Sequence, residues 1–303
     1  MSLIRYFPTK TAFPFMKWTT VTVPLSAVLS ILSIVLVLTV GLNLGIDFRG
    51  GTLIEVATRD GPVDIEALRA ATDDLGLGNV EVQAFGAPNV ALVRVERQDG
   101  GDEAQQRVVG LIGDVLGDTV EFRRTEVVEP AVSSELARNG AFGIAGALVA
   151  VFAYLWLRFR WQYAVGAILT TINDVILTVG LFAALQIDFN LSSIAAILLV
   201  LGYSLNDTIV VYDRIREHLG RREDLPRRRL IDRSINETLS RTLITSTTTL
   251  LALVALYLFG GPGLANFTLA MIWGVVVGTF SSIFLSAPLL TRLRLRPDSH
   301  RAG

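Results

Sequence analysis

Six stretches, at about 22–42, 138–157, 163–185, 191–211, 242–260 and 264–288, are almost wholly apolar and carry few charges. At ~1.5 Å of rise per residue, each predicts a helix long enough to cross a hydrocarbon core ~30 Å thick. Between the first and second stretches the hydrophobic period changes. Residues 51–57 alternate as a strand, whereas 63–75 follow a helical period that puts Ile65, Leu68 and Leu75 on one face. Segments 80–85 and 90–95 read as strands separated by the turn formers Gly86 and Pro88. A second helix at 102–116 and a strand at 119–127 complete the order βαββαβ. That order predicts a ferredoxin-like sandwich with both helices on one sheet face, and ~80 residues suffice for a small core.

The predicted fold is therefore a polytopic α-helical membrane protein: six transmembrane helices, with one α+β ferredoxin-like extracytoplasmic domain between spans 1 and 2. The expected division is a cytoplasmic N-terminus at 1–21, a first span at 22–42 and the α+β domain at 44–135. Spans 2–6 follow at 138–288, with a cytoplasmic loop at 212–241, and a cytoplasmic tail closes the chain at 289–303. The first span is expected to be a permanent anchor, because a cleavable leader has a short apolar core, whereas this span is full-length and runs into Gly41 and Asn43.

Charge refines this picture. The net charge of -1 hides a separation: residues 44–135 hold 18 acids and 8 arginines, while the other loops are basic. An acidic surface repels nucleic acid and is either a solvated face or one that touches unfolded polypeptide. The basic residues Arg5, Lys10, Lys17, Arg158, Arg160, Arg214, Arg216, Arg221, Arg222, Arg227, Arg228, Arg229, Arg233, Arg292, Arg294 and Arg296 fall on one side when six spans alternate. The turns at 186–190 and 260–263 carry none. The positive-inside rule then puts both termini in the cytoplasm and the acidic domain outside, which predicts a multi-pass protein of the cell inner membrane.

The chain has no cysteine and only two histidines, His218 and His300, which argues against a thiolate or histidine metal centre. No nucleophile and base pair, phosphate loop or ligand cluster stands out. The protein is expected not to be an enzyme and to hold no metal or cofactor.

Ionisable groups inside spans are costly and are functional candidates by default. Asp174 lies near the middle of the third span. Asp207 lies in a polar patch of the fourth beside Asn206 and Thr208, about one turn from Ser204, and Arg241 opens the fifth. Because spans 4 and 5 run in opposite directions, Asp207 and Arg241 are expected to meet towards the cytoplasmic side. A carboxylate in low dielectric prefers its neutral form and a nearby guanidinium favours the charged one, so a small rearrangement can load or release a proton. A hydrogen bond between packed helices is the other use of such an acid, and headgroup contact the other use of the arginine. Gly274 and Gly278 predict close helix packing.

Three motifs carry a resemblance. GIDFRGGT at 45–52, containing Asp47, Gly50 and Gly51, resembles the entry to the outer domain of SecD and SecF proteins. LGYSLNDTIVVYDRIRE at 201–217 and SRTLITS at 240–246 resemble the fourth and fifth spans of the SecF family, within the resistance-nodulation-division superfamily. The resemblance implies that Asp207 is the proton-carrying acid, Arg241 its basic partner and Asp174 a further pathway acid, with protons as the coupling ion. Asn173 stands where the family leads one to expect His. It also implies SecD as a separate chain, the SecYEG channel, the SecA motor, a YajC-like accessory protein, translocating unfolded polypeptide and membrane lipid as partners, with no nucleic acid. An exporter of small hydrophobic molecules and a passive scaffold for the channel are the competing readings.

Overall fold

The computed structural model describes residues 11–59, 61–85, 87–128, 130–221 and 225–293. Arg5, Lys10, Gly86, Arg222, Arg294, Arg296, His300 and most of the expected tail lie outside the described residues.

Six helices are long and apolar enough to cross a membrane. They are α1 (Phe15–Thr39), α5 (Pro130–Arg158), α6 (Trp161–Leu185), α7 (Leu191–Gly220), α8 (Arg227–Phe259) and α9 (Pro262–Ser281). The last continues through a π-helical stretch, Ser282–Ser286, into α10 (Ala287–Arg292). α6, α7 and the α9–α10 segment are the more deeply buried, whereas α1, α5 and α8 leave broad apolar faces open. The centre of the bundle is therefore α6–α7–α9.

Two boundaries differ from expectation. The first helix begins at Phe15 rather than near 22, because α8 holds its start: the Met16 amide donates to Asp232 Oδ1 at 2.7 Å, and Asn236 exchanges two 2.9 Å bonds with the backbone of Phe13. The segment expected as a loop at 212–241 is helical up to Gly220 and again from Arg227. Part of its charge is satisfied between helices. Glu237 of α8 accepts from Arg214 and His218 of α7, at 2.5 and 2.8 Å, and from Arg233 at 2.9 Å.

Small residues set the helix spacing. A methyl group added at Gly180 of α6 would sit 2.3 Å from Ser33 Cβ and 3.0 Å from its Cα on α1, and one at Gly274 of α9 would sit 2.0 Å from Val200 Cγ2 on α7. At Gly180 the backbone itself is in the way, so no rotamer change relieves the clash. Gly180→Ala is expected to destabilise the bundle by about 1–3 kcal/mol, read as a lower melting temperature of the purified protein.

Between α1 and α5 lie a single turn, α2 (Ile46–Arg49), and a four-stranded antiparallel sheet. Its strands are β1 (Gly51–Thr58), β2 (Val80–Ala84), β3 (Val90–Glu96) and β4 (Val120–Val128), in the order β2-β3-β1-β4. Helices α3 (Ile65–Asp73) and α4 (Gly101–Leu116) fill the two crossovers. Asp64 caps α3 by accepting from the amides of Glu66 and Ala67. Leu68, Val108, Ile112 and Leu116 pack with Ile54, Val56, Val82, Val93 and Val95 in one core, so period-2 residues of the strands meet one face of each helix. The opposite sheet face carries Glu81 and Arg94, cross-strand neighbours on β2 and β3.

Candidate functional site

Asp174 is fully buried in the middle of α6. Its Oδ2 accepts from Ser204 Oγ of α7 at 2.5 Å and from Ser281 Oγ of α9 at 2.8 Å, and its Oδ1 accepts from Asn173 Nδ2 at 3.5 Å. Asn173 in turn accepts from Ser26 and Ser30 of α1, at 2.9 and 2.6 Å. One carboxylate therefore ties the three central helices, and Asn173 extends the network to a fourth. Close approach of α7 and α9 is what allows this, since Gly278 lies against Ser204 with no room for a Cβ. The π-helical stretch begins directly after Ser281, a distortion often found at functional positions. The seat it offers is also used by Tyr212, whose hydroxyl donates to the Ser286 carbonyl at 3.1 Å.

Asp207 sits three residues beyond Ser204 on the same face of α7, about 4.5 Å along the axis. It is 3 % exposed, and its Oδ2 has no hydrogen-bond partner among the described residues. A buried, unpartnered carboxylate oxygen is rare in native proteins and calls for an explanation. Arg241 acts on it through space, but no Asp207–Arg241 ion pair within 4.0 Å is formed, and Arg241 is exposed on α8. The expected meeting of the two is thus electrostatic rather than a contact.

The supporting residues divide differently from the sequence reading. Ser204 serves Asp174, not Asp207. Thr208 is buried, and Asn206 is exposed on the other side of α7. Ser281 and the Asn173 bridge were missed. A serine within an apolar span and one turn after Gly278 was the available signal for Ser281.

A second site joins the bundle to the sheet. Asp47 of α2 accepts from the Leu191 amide at 3.0 Å, so it caps the first turn of α7, and its other oxygen pairs with Arg94 of β3 at 3.4 Å. Gly50, at φ +75°, turns the chain from α2 into β1, which opens at Gly51. The helix carrying Asp207 is thereby anchored to the sheet at its far end. A main-chain zipper reinforces the joint: Gly45 donates to the Phe189 carbonyl at 2.9 Å, and Phe189 to the Asn43 carbonyl at 2.7 Å.

Beside this joint is a polar cleft of about 590 Å³, whose walls include Asp47, Arg69, Glu81, Arg94 and Asp188. The Glu81 carboxyl lies above its ordinary range, first because it is buried and then because Asp188 stands near; Arg94 opposes the shift and Asp47 adds to it. The folded state therefore holds this proton more tightly than the unfolded state. Its stabilising contribution is complete below the unfolded value and is lost as pH rises through the raised one. Glu81→Gln is expected to raise the melting temperature near neutral pH and to flatten the pH dependence just above 4.5.

The chain matches a family model described as "Protein export membrane protein SecD/SecF, C-terminal" over residues 111–296, and the "SecD/SecF GG Motif" over residues 35–60. It is 42% identical over 300 residues to a protein translocase subunit SecDF of Brucella abortus, covering 99% of this chain and 40% of that protein. To the protein translocase subunit SecF of Rhodobacter capsulatus it is 40% identical over 298 residues, covering 93% of this chain and 89% of the relative. Among solved structures, a crystal structure of SecDF from Thermus thermophilus superposes with a TM-score of 0.77 at 34% identity, covering 96% of this chain and 40% of that one. The chain thus spans less than half the length of the SecDF proteins and most of the length of the SecF relative.

Proposed function

The chain belongs to the SecD/SecF family of protein export membrane proteins, and from that premise we propose that it is the SecF subunit of a SecDF complex. In this reading it uses the proton motive force to promote translocation through the SecYEG channel after SecA-driven insertion. SecD is its heterocomplex partner, and a YajC-like protein is an accessory. It is not an enzyme and needs no cofactor beyond protons. It resides in the cell inner membrane with both termini cytoplasmic. The sheet unit is a ferredoxin-like extracytoplasmic domain, a reading supported by the strand order β2-β3-β1-β4.

The observation that carries this proposal is the pair of buried carboxylates on adjacent helices, Asp174 of α6 satisfied by three donors, one of them Ser204 a turn before Asp207 on α7, and Asp207 left with an unpartnered oxygen. A carboxylate without a partner gains most from a proton or from an approaching cation, so loading Asp207 and pairing it with Arg241 are competing states. The driving force suffices. Two charges crossing ~150 mV release about 7 kcal/mol, more than the ~5.5 kcal/mol that turns a 1:99 population into 99:1. Movement of α7 reaches the outer domain through Asp47, which holds both the Leu191 amide and Arg94.

Export of small hydrophobic molecules fits less well, because the cleft at the joint is lined by charged groups. The test is ATP-independent completion of a trapped preprotein in inverted vesicles containing this chain and SecD. Completion should require the chain and stop when a protonophore collapses the gradient; completion that persists with the protonophore overturns the proposal.

A further inference from the structure

At the end of the bundle where the arginines gather, a groove of about 160 Å³ opens between α1, α8 and α10, with Met16, Thr19 and Val23 on one wall and Leu289 on another. Arg228 of α8 and Arg292 of α10 line it. Both are exposed, and neither has a carboxylate within 4.0 Å among the described residues. Of the other arginines at this end, Arg214, Arg221 and Arg233 are each paired with Glu217 or Glu237, while Arg227 and Arg229 do not line this groove. Two guanidiniums on separate helices that line one small groove, with no described carboxylate pairing either of them, form a site for an anion.

The level of the groove says which anion. Trp18, half exposed and stacked on Phe13, lies on the same turn of α1 as Thr19, and such indoles mark the headgroup layer. Beyond it, Val21, Leu25 and Val28 of α1 are exposed and offer an apolar track for an acyl chain. Basic pockets between spans on the cytoplasmic side are the usual form of a phospholipid headgroup site, and the arginine fork matches phosphate oxygens in pairs.

We propose that Arg228 and Arg292 hold the phosphate of an anionic phospholipid of the cytoplasmic leaflet, whose glycerol end enters the groove and whose acyl chain follows α1. The lipid bridges the first helix to the α8 and α10 ends. The inference rests on the proposed cytoplasmic placement of this end of the bundle but not on proton coupling, so its failure leaves the export reading untouched.

The test is native mass spectrometry of the full chain in detergent micelles doped equally with phosphatidylglycerol and phosphatidylcholine. The wild type should retain phosphatidylglycerol selectively, and R228Q/R292Q should lose that retention roughly tenfold, as two lost charge-assisted contacts imply. R227Q/R229Q, which removes the same charge from the same end of the bundle, should keep it. Should the double variant fail to fold, R292Q alone, at the exposed end of α10, supplies the comparison through a several-fold loss. No preference for phosphatidylglycerol overturns the proposal, and so does equal loss in both double variants, which means diffuse attraction. Displacement of the lipid by millimolar glycerol phosphate also overturns it, since it assigns the groove to a soluble phosphate.

Discussion

Asp207→Asn is expected to abolish gradient-driven completion of a trapped preprotein, a loss of at least about a hundredfold in rate for an essential proton-transfer group, while the protein still assembles and melts as the wild type does. The structural half follows from the geometry: Asp207 Oδ2 accepts nothing among the described residues, so a neutral amide of the same shape forfeits no bond and avoids the cost of burying charge. The functional half follows because an amide cannot take up and release a proton. Asp207→Glu should retain part of the rate, since it keeps the chemistry and moves the carboxyl by only one methylene. Arg241→Gln should fall between, because Arg241 is exposed and acts only through space. Undiminished completion by the Asn variant would remove Asp207 as carrier and favour a passive scaffold.

Asp174 should separate into two effects. Asp174→Ala leaves the Ser204 hydroxyl without its 2.5 Å acceptor and opens a void among α6, α7 and α9. Ser281 is less exposed to this loss, because its hydroxyl also reaches the Gly278 carbonyl at 3.1 Å. The expected cost is about 2–4 kcal/mol, seen as a large fall in melting temperature. Asp174→Asn keeps an oxygen for both serines but turns its NH2 towards Asn173, at a cost of about 1 kcal/mol. If Asp174 belongs to the proton pathway, this variant is folded yet loses gradient-driven completion. A folded variant with normal completion would reduce Asp174 to a packing clamp. Measuring both variants in the same vesicles, with thermal melts alongside, distinguishes these outcomes.

The elements were legible because each rests on a local period. Strand alternation in β1 and β3 and the helical spacing of Leu68 in α3 locate the sheet core, and long uncharged runs locate the spans. The boundaries that failed were those held by distant residues. Nothing in the run of charges at 212–241 tells that Arg214 and His218 meet Glu237 across a helix pair, or that Asp232 and Asn236 start α1 early.

The same division holds for the site. By itself the sequence determined that two carboxylates, Asp174 and Asp207, lie inside apolar spans, because an acid in such a run needs no tertiary knowledge to be noticed. It also grouped Ser204, Asn206, Asp207 and Thr208 as one polar patch, of which Asn206 faces away from the others. Only the tertiary structure decided which acid the serine serves, that Arg241 stays out of contact, and that Asp47 links α7 to β3. A helical period fixes azimuth within one helix, whereas a hydrogen bond needs two helices at the right depth and separation. Here that separation is set by pairs such as Gly278 against Ser204 and Gly274 against Val200, contacts between residues far apart along the chain.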